Sequence, residues 1–144
     1  KNYILFIKDI SKYISIDKII VFGINPPSLI DKNRCVDYTK RIIFENNSEF
    51  NNNTDFKNKL IKTIKNIQNR TEFSKLFNNT CKYYCNKNNI KYSEVFDELL
   101  DNDKIISKKF TNNNDHHIKG VENDESNFEP TNKLFKNALL KIIN

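Results

Sequence analysis

The stretch FTNNNDHHIKG, Phe110–Gly120, holds both histidines of a 144-residue chain, side by side and directly behind an acid. A histidine changes charge near neutral pH, and a carboxylate bonded to its other ring nitrogen fixes the tautomer and stabilises the imidazolium, as a general base requires. Asp115 and His117 are two residues apart, close enough for that bond where the backbone turns, with His116 then pointing elsewhere. The spacing equally allows His116 as the base. A metal centre is not expected: adjacent histidines diverge, the chain has no third histidine, and Cys81 and Cys85, four residues apart, match no standard zinc spacing. Two solvated histidines in an asparagine-rich loop are the plain competing expectation.

Such a loop needs elements to position it. KNYILFIKDISKYIS puts Ile4, Ile7 and Ile10 at helical intervals, with Leu5 and Tyr13 beside them, and predicts an amphipathic helix. Ile19–Phe22 is a short continuous apolar run stopped by Gly23 and Pro26–Pro27, the pattern of a central parallel strand covered on both faces. The polar stretch from Asp31 to about Asn53 predicts no more than a short strand or helical turn at RIIFE. From Thr54, a fitting N-cap, Phe56, Leu60, Ile64 and Ile67, then Phe73, Leu76, Phe77, Tyr84 and Cys85 recur at steps of three and four. They predict one long helix or two, with a break at Asn69–Thr71. Ile90–Val95 reads as a strand entering a turn or short helix at Phe96–Leu100, and Asn102–Asn114 as a loop. Leu134, Phe135, Ala138, Leu139 and Ile142 share one face of a closing helix with Pro130 near its start. Strands separated by helices predict a parallel α/β sheet with right-handed crossovers. Open sheets of that kind carry their chemistry beyond the C-terminal ends of the strands, where Gly23–Ser28 and Asp115–His117 both fall.

The length allows one domain, residues 1–144. Asn, Lys and Ile supply 66 residues, the bias of AT-rich coding, so runs such as NNSEFNNNTDF carry no functional signal and predict a solvated loop. The net charge of +6 suits nucleic acid in principle, but the lysines are spread along the chain and only Arg34, Arg41 and Arg70 are arginines, so no nucleic-acid partner is expected. Three cysteines, Cys35, Cys81 and Cys85, without framework spacing, predict reduced thiols and a cytoplasmic compartment. Cys81 and Cys85 are expected to act as small apolar groups on a helix face. No run approaches the ~20 apolar residues of a membrane span, and no membrane partner is expected.

Taken in order, KIIVFGINPPS, then NRTEFSKLFNNTCKYYCNKNNIKYSEVFDELLDNDKIISKKF, then NNNDHHIKG and a closing helix resemble the C-terminal half of an SGNH (GDSL-type) hydrolase, over roughly Ile14–Asn144. The resemblance rests on the strand ending in Pro26–Pro27, a helix with Arg70 and Phe77–Asn78, the strand NIKYSEVFDEL, and the acid–histidine loop. It implies a three-layer parallel sheet flanked by helices, the flavodoxin-like SGNH architecture, incomplete at its N-terminal side. It also implies an ester hydrolase acting on a small-molecule or carbohydrate ester, with His117 as base, Asp115 orienting it, and no metal or organic cofactor. Two departures stand out. The family's acid lies three residues before its histidine, a position held here by Asn114 for His117 and Asn113 for His116. No serine of the chain sits in the family's Gly-Asp-Ser setting, so the nucleophile is expected in a longer product, and the alternative is an inactive SGNH-like binding or assembly module. Asn25 in GIN superficially matches the family's Gly-x-Asn oxyanion block, but a turn-forming role after the strand is the preferred expectation.

Overall fold

The computed structural model describes residues 3–45, 54–111 and 129–143. Two strands, β1 (Ile20–Phe22) and β2 (Lys91–Ser93), pair in parallel with Val21 opposite Tyr92, and the ladder runs one residue further through Gly23 N–H to Ser93 O at 2.8 Å. The described residues also form five helices, α1 (Tyr3–Ile10), α2 (Lys32–Glu45), α3 (Thr54–Ile64), α4 (Ile67–Lys87) and α5 (Glu129–Ile143), of which α4 and α5 pack on β2. The expected three-layer α/β sheet is therefore corrected. The strands are parallel, but among the described residues the sheet has two strands only and most of the chain is helical. A pair of strands three residues long has too little surface to hold itself together in water, so the helices must supply the burial.

Local chemistry explains where the helices start and stop. RIIFE, expected as a turn or short strand, lies within the 14-residue α2 because Asp31 caps that helix, accepting from Arg34 N–H at 2.7 Å. The break expected at Asn69–Thr71 comes earlier, at Lys65–Asn66, where the Asn66 side chain accepts from Asn69 N–H and starts α4. The same helix ends in a left-handed residue, Asn89 at φ 55°, with Ile90 N–H reaching back to Cys85 O at 2.9 Å and Asn89 N–H to Asn86 O. This Schellman closure turns the chain straight into β2, and its usual apolar contact is present, since Ile90 and Cys85 share a core cluster.

Two buried clusters lie on either side of the strands. Ile7, Val21, Cys85 and Ile90 pack between α1, α4 and the strands, joined by Tyr84 and Tyr92. Val95, Leu99, Ile106, Phe110 and Ala138 form the second, toward α5, where Phe22 and Phe135 stack with ring centroids 5.2 Å apart. The inward face of α4 carries Cys81 and Cys85 as expected but otherwise differs from the periodic reading. Thr71, Asn78, Cys81 and Cys85 are buried, whereas Phe73 and Leu76 are 62% and 61% exposed and Phe77 touches Tyr3 of α1 at the surface. Spacings of seven, three and four put the four small residues on one stripe, and small side chains let the helix axis approach the strands closely.

Candidate functional site

The residues after β1 run without helix or strand from Gly23 to Asp31, and three side chains from distant parts of the chain hold them. Asn78 of α4, 1% exposed, treats Ile24 as a strand would: its Oδ1 accepts from Ile24 N–H and its Nδ2 donates to Ile24 O, both at 2.9 Å. Arg70, two turns earlier, donates from Nη2 to Leu29 O at 2.6 Å. Thr111 donates from its hydroxyl to Ser28 O at 2.8 Å. Backbone that belongs to no sheet or helix must find partners elsewhere when it is buried, and these side chains supply them.

The strand ends are tied to each other through the same amide. Asn78 Nδ2 also donates to Glu94 Oε2 at 2.9 Å, so both its N–H groups are used. Tyr92 donates its phenol to that same oxygen at 3.3 Å, and Lys82 stands 3.6 Å from the other. Burial pushes the Tyr92 phenol well above its ordinary range, and the charge of Glu94 and the hydrogen bond to it add to the shift, so Tyr92 stays a donor at neutral pH. Gly23 is required by close approach: a Cβ there would lie 2.5 Å from Tyr92 Oη and 3.0 Å from Asn78 Nδ2. Beyond β2, a cleft of about 630 Å³ opens between α4 and α5, lined by Lys82, Tyr92, Glu94, Glu98, Asn137 and Lys141 among others. Its size falls within the range of small-molecule sites.

Asp115, His116 and His117 lie outside the described residues. The chain reaches them from Thr111, whose hydroxyl is anchored on the segment that leaves β1. Of the serines, Ser28 and Ser93 are buried, and Ser93 donates to Ala138 O at 3.1 Å, tying β2 to α5. Asn25 sits partly buried in the segment after β1. Among the described residues no group of His, Cys, Asp and Glu could hold a metal ion, and no helix is long and apolar enough to cross a membrane. The Asn78–Glu94–Tyr92 cluster escaped the periodicity reading. The available signal was an asparagine in phase with Thr71, Cys81 and Cys85 on α4.

The three cysteines are buried and form no disulfide. Burial pushes each thiol above its ordinary value, with Cys81 adding to the effect at Cys85, and with Arg70 opposing it at Cys35. Their folded pKa values lie above the unfolded value of about 8.5, so the stabilisation is complete below that pH and is lost as pH rises through the folded values. The urea midpoint is therefore expected to fall between pH 7.5 and pH 9.5 under reducing conditions, and iodoacetamide should label the three thiols rapidly only in urea. A pH-independent midpoint with fast native labelling would contradict this burial.

Arg70 lies beside Cys35, and its Nε is buried with no hydrogen-bond partner. Desolvation lowers the guanidinium pKa, partly offset by the Cys35 thiol, yet an arginine so shifted remains charged. It joins α4 to the base of the α2–α3 hairpin, where Cys35 Sγ contacts Ile64 O at 3.6 Å. No family model, no curated protein and no solved structure matches this chain.

Proposed function

We propose that this chain contributes the acid–base arm of an SGNH-type ester hydrolase. The observation that supports the reading is the bond from Thr111 to Ser28 O, because it ties the last described residue before the Asp-His-His stretch to the segment that follows β1 of a parallel strand pair. Parallel strands present their ligands there, where the strand ends and the loops that follow them open together. In this reading a serine of a longer product attacks the acyl carbonyl as His117 takes its proton. The imidazolium then protonates the leaving alcohol, and water repeats the sequence on the acyl-enzyme with the same base. Asp115 orients the imidazole, and His116 is the other candidate for the base. The ester is a small-molecule or carbohydrate ester.

The test uses the longest natural product that contains this segment, with fluorophosphonate labelling and p-nitrophenyl acetate turnover, beside His117→Ala and His116→Ala. Serine labelling, with turnover lost in one variant only, supports the reading and identifies the base. A correctly folded product with neither labelling nor turnover removes it.

The second reading, a non-catalytic binding or assembly module, is favoured by one specific feature. Phe73, Leu76 and Phe77 of α4 and Tyr3 and Phe6 of α1 are all exposed, an apolar stripe of a kind that marks contact surfaces in soluble proteins. The labelling experiment separates the two.

A further inference from the structure

The outer face of α4 has an order of its own. Phe73, Leu76, Thr80 and Tyr83 follow at steps of three, four and three, the spacing of a coiled-coil seam, and all four are exposed. The stripe buried against the strands, Thr71, Asn78, Cys81 and Cys85, lies on the other side of the same helix. Thr80 already spends its hydroxyl on Leu76 O at 2.8 Å, which leaves its methyl for packing. Within this face, Asn69, Glu72, Phe73 and Leu76 surround an open hollow of about 320 Å³. Positions i, i+3, i+4 and i+7 are the hole of knobs-into-holes packing, which takes one side chain of a facing helix. The wall of this hole is half apolar and half polar. Tyr83, 61% exposed, matches it with an aromatic body for Phe73 and Leu76 and a hydroxyl for Asn69 or Glu72. On its own helix Tyr83 lies eleven residues beyond Glu72, about 16 Å away, so only a second copy can supply it.

We infer that α4 is the contact face of a homodimer, with the two helices antiparallel and Tyr83 of each protomer seated in the Asn69–Glu72–Phe73–Leu76 hollow of the other. A twofold axis then crosses the seam midway between Leu76 and Thr80, and Leu76 meets the partner's Thr80. Charge sets the orientation. Of the five charged side chains on α4, Arg70 donates to Leu29 O, Lys75 pairs with Asp97 and Lys82 with Glu94. The other two, Glu72 near the start and Lys87 at the end, are in no ion pair among the described residues. Lys87 Nζ stands 4.9 Å over the Tyr83 ring. An antiparallel pair brings Lys87 with its tyrosine to the partner's Glu72, twice over. A parallel pair sets glutamate against glutamate and lysine against lysine, which repels. Tyr3 of α1, its ring 5.7 Å from that of Phe77, borders the seam and widens it. One helix pair is a small interface, so association is expected at high micromolar concentration. The inference rests on this face alone and holds for an enzyme and for a non-catalytic module alike.

Sedimentation velocity and light scattering of the full chain from about 5 to about 500 µM test it, with far-UV circular dichroism as the check on folding. The mass is expected to rise from 17.1 kDa toward twice that value and stop there, as a closed twofold contact requires. Leu76→Glu, at an exposed position, should hold the mass at one chain over the whole range. Glu72→Lys and Lys87→Glu should each weaken association about fivefold, and the two together should restore it. A single chain at the highest concentration, growth past two copies, a dimer untouched by Leu76→Glu, or charge variants that do not rescue one another would each overturn the inference. Fluorophosphonate labelling of the longer product reads the hydrolase separately, so either reading can fail without the other.

Discussion

Asn78→Ala is expected to lower the free energy of unfolding by about 3 kcal/mol, a large part of the ~5–15 kcal/mol that holds a domain together. The substitution deletes an amide that is 1% exposed and makes three hydrogen bonds, two to the backbone of Ile24 and one to the Glu94 carboxylate. Its main cost is what it leaves behind: a donor, an acceptor and a carboxylate without their partner, at roughly 1–3 kcal/mol for each buried group that water cannot reach. The partly exposed Glu94 recovers some solvent, so the total falls below the sum of the three. Asn78→Asp sharpens the test, because it aims a second carboxylate at Ile24 O and at Glu94. It should be more destabilising than alanine at pH 7 and should regain stability as the pH falls toward about 4, because burial beside Ile24 O and Glu94 raises the folded pKa above the unfolded value of about 3.9 and the protonated acid can again donate. Asn79→Ala, one residue on and exposed, should change stability by less than about 0.5 kcal/mol. Urea melts of the four proteins at pH 7 and pH 4, compared at constant m-value, decide the matter. Equal midpoints for Asn78→Ala and Asn79→Ala would show that the amide is not a structural tie.

Phe110→Ala should cost about 4 kcal/mol, within the ~3–5 typical of a fully buried phenylalanine. Phe110 is 2% exposed and closes the cluster of Val95, Leu99, Ile106 and Ala138, which joins the chain after β2 to α5. The ring lies in one turn of 3₁₀ helix, Lys108–Phe110, directly before Thr111. Losing it opens a cavity and loosens the residue that anchors on Ser28 O. Phe73→Ala is the matched control: the same deletion at a 62% exposed ring should cost under about 1 kcal/mol. Similar losses at both sites would mean that α4 turns its large residues inward in solution. That would invalidate the assignment of its buried face.

How much of this was legible beforehand varies with the range of the interaction. The β1 run and its arrest, the strand after α4, and the amphipathic α5 are periodic features within a few residues, and each appears where its pattern lies. The cap of α2 was written in Asp31 but was outvoted by the apolar run at RIIFE, since an isolated β-branched run does not distinguish strand from buried helix. The inward face of α4 was misjudged because periodicity ranks residues by hydrophobicity. Packing against a short strand pair instead selected Thr71, Asn78, Cys81 and Cys85 for their size and left Phe73 and Leu76 outside.

The candidate site divides in the same way. The acid and two histidines, and the location of the chain break after β1, are sequence features, whereas the ties that hold that break are not. Asn78 meets Ile24 across 54 residues and Thr111 meets Ser28 across 83, and no local pattern encodes a pairing between a side chain and a backbone group so far away. By itself the sequence determined the β1 and β2 runs, the amphipathic α1, α3 and α5, and a cysteine set without a disulfide framework. Tertiary structure alone decided that only two strands pair, which face of α4 is buried, and that Asn78, Tyr92 and Glu94 form one polar cluster. The reason is physical: local patterns report the preferences of neighbouring residues, while burial and hydrogen-bond satisfaction are settled only when distant segments compete for the same interior.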